Sequence, residues 1–183
     1  MKVLQLKTYP DPCLKVKTKP VEEFDQDIRD ILKAMADMMY LNQGIGLAAP
    51  QVGLGLQAVV VDTGEGLMNF VNPVITERSR KRSRMVEGCL SLPGAAVGVS
   101  RPEEVSVRAR NEHGEYFMRR FTGLAAKAVQ HEIDHLNGKL IIDYLDPIRY
   151  FLASRKLKKA DPAEAGKACE VICHVGGKDK PGA

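Results

Sequence analysis

The chain has 183 residues, enough for one domain with a substantial core and too few for two comfortable ones. An apolar share of 44% argues against disorder, no apolar run reaches the roughly 20 residues that span a bilayer, and the opening Met1-Lys-Val-Leu-Gln-Leu-Lys7 is too short and too charged for a secretory leader. A cytoplasmic protein is expected, and a net charge of +4, from 27 basic and 23 acidic residues, is too modest to call for DNA as a partner.

In chain order, Phe24, Ile28, Ile31, Leu32, Met35, Met38 and Met39 recur at steps of three and four, which predicts a helix with one buried face from about Phe24 to Leu41, stopping near Gly44. Leu56 to Asp62 reads as a buried strand. Leu67 to Val74 reads as another, pushed toward a sheet edge by Pro73. Arg78, Arg80, Lys81, Arg82 and Arg84 then form a basic run. Glu104 to Arg110 alternates valines with polar residues, Asn111-Glu-His-Gly114 turns, and Glu115 to Phe121 returns, which predicts a hairpin. Gly123 to Asn137 is a second helix with Gly138 as a left-handed cap, and it places Leu124, Ala128, His131 and His135 on one face. A basic third helix covers Pro147 to Lys159, and residues 161–183 read as a loose tail behind a catalytic domain of residues 1–160. The expected fold is therefore a single α+β domain, with short, mostly antiparallel sheets packed around the histidine-bearing helix and a helix at the C-terminal end.

Cys13, Cys89, Cys169 and Cys173 do not form a disulfide pattern, which points to a reducing compartment. Cys169 and Cys173, followed by His174, have three residues between them rather than the two of c-type haem attachment. With no second ligand pair nearby they read as reduced thiols.

The chemistry concentrates in Gln130-His-Glu-Ile-Asp-His135. Two histidines four apart on a helix project side by side and can reach one metal ion. Glu132, next to the first of them, can touch a metal-held water without ligating the metal. The competing structural reading is a helix whose histidines face solvent. A catalytic metal also needs a third protein ligand and an open position. Downstream, Asp143 and Asp146 are carboxylate candidates; Cys89, in Glu87-Gly-Cys-Leu-Ser91, is the better one, because Gly88 lets the backbone run close to a ligand. Its competing reading is a small buried thiol.

With these residues in view, the chain resembles the peptide deformylase family through three separated motifs in order: Gly44-Ile-Gly-Leu-Ala-Ala-Pro-Gln51, Glu87-Gly-Cys-Leu-Ser91 and Gln130-His-Glu-Ile-Asp-His135. Tyr9-Pro-Asp-Pro-Cys-Leu14 and Leu136-Asn-Gly-Lys-Leu140 extend the likeness over roughly residues 1 to 160. The resemblance implies a metal-dependent hydrolase that takes the N-formyl group from the N-terminal methionine of nascent polypeptides and releases formate. It implies Cys89, His131 and His135 as ligands of one divalent ion with water in the fourth place. Ferrous iron is the implied native metal, with zinc, nickel or cobalt able to substitute, and a thiolate with two imidazoles suits all four. A thiolate beside ferrous iron is open to oxidation. The Gln51 amide and the Leu90 backbone N–H become donors to the developing oxyanion, and Glu132 the proton carrier to the leaving amine. Ile45, Gly46 and Gly88 would bind an extended peptide as an added strand, and Ile45, Met85, Leu124, Lys127 and Ala128 would surround the methionine side chain.

The departures from the family pattern are Lys127 where an aliphatic residue is common, Ala96 where an arginine is common, and the basic run before Glu87. The Lys127 methylenes are expected to line the pocket while the ammonium reaches solvent at its rim. Arg101 is expected to pair with Glu87 and brace the cysteine loop. Two other functions compete: a zinc metallopeptidase with a downstream third ligand, and a ribosome-binding adaptor with a vestigial metal site. Arg149, Arg155, Lys156, Lys158 and Lys159 suggest ribosomal RNA as a further partner.

Overall fold

Asp25 opens the first helix, α1 (Gln26–Leu41): its carboxylate accepts from the N–H groups of Asp27 and Ile28 and so satisfies two of the turn's unpaired donors. The apolar stripe read from the sequence is buried, with Met35, Met38 and Met39 fully so, against Leu47, Ala58 and Val60. The computed structural model describes residues 2–159 and 171–173.

The stripe packs on a five-stranded antiparallel sheet in the order β2-β3-β4-β7-β8, formed by β2 (Gly46–Ala48), β3 (Ala58–Val61), β4 (Met68–Arg78), β7 (Glu104–Arg110) and β8 (Tyr116–Thr122). The predicted hairpin is β7–β8, paired from Arg110↔Tyr116 to Glu104↔Thr122. The edge position expected for the strand containing Pro73 is corrected: β4 lies between β3 and β7. Proline is tolerated there because the ladder to β7 shifts register between Val71 and Val74, so no donor is needed at position 73. Beside it Asn72 turns left-handed (φ 51°), and its side-chain amide bonds both backbone groups of Val21, at 2.8 Å each.

A separate two-stranded ribbon, β5 (Arg82–Glu87) with β6 (Val97–Pro102), runs from Arg82↔Pro102 to Glu87↔Val97. The basic run is therefore partly strand, its arginines alternating outward. Helix α2 (Gly123–Leu136) lies between this ribbon and the sheet; Val129 and Ala126 join Val59, Phe70 and Phe121 in a second core. It ends as expected at Gly138, φ 70°, where an added Cβ would overlap the Lys15 backbone.

Helix α3 (Pro147–Lys159) buries Leu157 in a third core with Leu14, Leu92, Val99 and Ile142, and leaves Ile148, Phe151 and Leu152 exposed. Of the stretch read as a tail, Val171–Cys173 forms β9, antiparallel to β1 (Lys2–Leu4); Cys169 and His174 lie outside the described residues. The architecture is the expected α+β domain of antiparallel sheets around α2. No helix among the described residues is long and apolar enough to cross a membrane.

Candidate metal centre

Helix α2 presents His131 and His135 one turn apart, with their Nε2 atoms 3.2 Å from each other. The loop leaving β5 brings the Cys89 Sγ to 3.3 Å from His135 Nε2. The three ligand atoms lie within 4.8 Å of one another and, among the described residues, form the one Cys/His/Asp/Glu group that could hold a metal ion. Two imidazole lone pairs and a thiol converging at this distance repel unless a cation or a proton sits between them, so this donor set fits a divalent ion of borderline softness. Asp143 and Asp146 are engaged elsewhere. The first bonds Lys15 at 2.6 Å, and the second caps α3 through the N–H groups of Ile148 and Arg149.

The candidate ligands are held from behind. His131 Nδ1 lies 3.0 Å from Glu87 Oε2, which turns Nε2 toward the ligand cluster. Arg101 grips the same carboxylate with two N–H groups, at 2.6 and 3.0 Å, and donates to Asp134 at 2.7 Å. The Tyr144 hydroxyl closes the set on Asp134 at 2.6 Å. Burial works against the Glu87 charge, but His131 and Arg101 outweigh it and hold the carboxyl below its ordinary range. Burial likewise disfavours a charged His131, yet Cys89 and Glu87 raise it well above the usual imidazole value; burial and then the charge of His131 push His135 well below.

In front of the ligands opens a cleft of about 640 Å³ whose lining includes Cys89, His131 and Glu132. Glu132 is buried, its Oε2 has no partner, and burial pushes its carboxyl up to about 7. Gly46 lies directly against it, so an added Cβ would overlap the carboxylate. The Gln51 Oε1 accepts from the Ala48 N–H at 2.8 Å, which orients the amide so that its NH₂ faces Ser91 Oγ (3.2 Å) and Cys89 Sγ (3.7 Å).

A family model described as polypeptide deformylase matches residues 3–150. The chain belongs to the peptide deformylase family. A peptide deformylase from Carboxydothermus hydrogenoformans is 45% identical over 148 residues, covering 81% of this chain and 97% of that relative. The crystal structure of a peptide deformylase from Legionella pneumophila superposes with a TM-score of 0.83 at 40% identity, covering 91% of this chain and 99% of the other. The Ehrlichia chaffeensis peptide deformylase in complex with actinonin gives a TM-score of 0.83 at 36% identity, covering 87% and 98%.

Of the residues singled out in the sequence, Ile45, Gly46, Gln51, Met85, Gly88, Cys89, Leu90, Leu124, Lys127, Ala128, His131 and Glu132 all line this one cleft, and His135 sits just behind it. The expected brace between Arg101 and Glu87 is present. Lys127 corrects an expectation. Its ammonium does not reach solvent; it is buried and donates to the carbonyls of Ser83 (2.8 Å) and Arg101 (3.1 Å). Burial holds this amine below its usual value. Ser91, Gln130 and Asp134 stood in the quoted motifs of this deformylase fold with no role assigned, and Tyr144 was not singled out. The helical spacing of Lys127, Gln130, His131 and Asp134, all on one polar face, was the available signal.

Proposed function

We propose that this chain hydrolyses the N-formyl group of formyl-methionyl peptides at a divalent ion held by Cys89, His131 and His135. The observation that carries the reading is the Glu132 Oε2 atom, buried without a partner in the cleft beside the three ligands. When bound, the ion acts as a Lewis acid toward water and the formyl carbonyl. Glu132 takes the proton released as water adds to the formyl carbon and passes it to the amine nitrogen as the C–N bond breaks, leaving formate and a free N-terminal methionine. The Gln51 NH₂, oriented from behind by Ala48, and the Leu90 backbone N–H donate to the oxygen that gains charge.

The substrate lies extended between the free side of β2 at Ile45 and Gly46 and the β5 end at Gly88, bonded mainly through backbone. Its first side chain enters between Ile45, Met85, Leu124, Ala128 and the stem of Lys127, where a flexible thioether fits an irregular slot. Ferrous iron is the native metal, with zinc, nickel and cobalt as substitutes. The zinc peptidase reading loses its downstream ligand to the Lys15 pair and the α3 cap.

Work on nascent chains places the protein in the cytoplasm, near ribosomes. Arg149, Arg155, Lys156 and Lys158 are exposed on α3 and supply phosphate contacts. Ribosome co-sedimentation should weaken as salt rises and on replacing these four with Ala; insensitivity to both would remove the docking role. Formate release from a formyl-Met peptide, measured anaerobically with ferrous ion, tests the main reading. Turnover is expected, and no formate with any of the four metals would refute it.

A further inference from the structure

Four side chains on one face of α2 reach across to the β5–β6 ribbon. Asp134 takes Arg101, His131 meets Glu87, and Gln130 donates to the Pro102 carbonyl at 3.1 Å. The fourth is Lys127, which the chemistry does not use. Its two acceptors, Ser83 and Arg101, are direct cross-strand neighbours, so one ammonium holds a carbonyl on each strand. Two residues along from Ser83, Met85 lines the cleft from the ribbon side; three residues before Lys127, Leu124 lines it from the helix side. A buried ammonium keeps such bonds because the alternative is an unpaired charge out of water. It therefore acts as a spacer of fixed length between the two walls, beside the Gln130 bond to Pro102 and alone in holding both strands of the ribbon among the described residues.

We propose that Lys127 is a positioning residue for substrate specificity: by bonding one carbonyl on each strand of the ribbon, it fixes the gap between ribbon and α2 that receives the substrate's first side chain. The inference rests on reading that cleft as the formyl-methionyl site. Its action is confined to the slot, because Glu87 and Asp134 tie the ribbon to α2 beside the metal ligands without help from Lys127.

Lys127→Met keeps length and apolar bulk and removes every donor. Three readouts are to be compared with wild type in the iron-loaded enzyme: kcat and KM on formyl-Met and formyl-Phe peptides, metal content, and amide hydrogen exchange in residues 83–86. The expected result is a preference for formyl-Met reduced by about tenfold, the scale on which a hydrophobic slot discriminates shape. The change should fall on KM more than kcat, with one metal per chain retained and faster exchange in β5. Lys127→Arg, whose fork can reach both carbonyls, should restore preference and protection. Should the Met variant not purify, Lys127→Gln, with a shorter, neutral donor, reads the same quantities with a smaller loss expected. A preference unchanged to within about twofold would overturn the proposal; so would a loss of preference accompanied by loss of metal, since that marks a general structural role. Wild type that releases no formate from either peptide would instead sink the functional reading, while the exchange comparison would still report on the tether.

Discussion

Helices α1 and α2 are of similar length, 16 and 14 residues, and both are largely buried, yet they are held in opposite ways. Toward the sheet, α1 offers isoleucine, leucine and three fully buried methionines. On α2 the buried set includes Lys127, Gln130, His131, Glu132 and His135. Apolar contacts are non-directional, and methionine adapts its shape to its neighbours, so α1 is tolerant of how it is filled. Buried polar groups each need a particular partner at a particular angle. Two of the three buried side-chain atoms without a protein partner among the described residues belong to α2: Glu132 Oε2 and His135 Nδ1. The difference separates scaffold from chemistry. One helix supplies stability that many sequences could supply, and the other spends specific bonds to hold a few groups open for a ligand.

That contrast can be broken first at Glu132. Glu132→Gln should bind metal with unchanged stoichiometry and lose about 10²–10⁴-fold in kcat, the usual share of a general acid–base group. Normal turnover would return Glu132 to the structural side of the comparison. Next is Arg101, which joins Glu87 and Asp134 through a single side chain. Arg101→Met leaves the Glu87 carboxylate buried and facing only His131 among its former partners, and Asp134 half-buried beside Tyr144. Stripping one partner from a buried ion pair costs about 3–5 kcal/mol, so denaturant unfolding should show a loss of that size together with weaker metal binding. A loss below about 1 kcal/mol, as for a surface ion pair, would mean the brace is ornamental. The smallest effect belongs to α1: Met35→Leu, a volume-conserving exchange in the apolar core, should cost less than about 1.5 kcal/mol and leave formate release alone. A larger cost would show that α1 is as exacting as α2.

The same contrast explains what could be read without coordinates. Periodicity located α1, α2 and the β7–β8 hairpin to within a few residues, because each turns an apolar face to the core; α3 was bounded without it and leaves Ile148, Phe151 and Leu152 exposed. Periodicity missed β5 and β6, where an arginine-rich stretch looks like a solvated charge run until its alternation is matched to a partner strand. Pro73 misled because its tolerance depends on a bulge set by pairing with β7, a long-range event. At the centre, the two histidines announced themselves by helical spacing. Cys89 lies 46 residues before His135; the neighbouring Gly88 marked it as the better third candidate, and the likeness to a family joined it to them. The destination of the Lys127 ammonium was out of reach for the same reason: both its acceptors are backbone carbonyls, which leave no mark on sequence.

Gly46 has a consequence of another kind. Its backbone is in contact with the Glu132 carboxylate, with no room for even a methyl group between them, and it also forms part of the sheet edge that borders the cleft. A peptide laid along that edge, as proposed, would bond the same short segment that packs against the acid. On the proposed reading, seating and reactivity would be geared together, since a guest that shifts β2 would press on the carboxylate packed against Gly46.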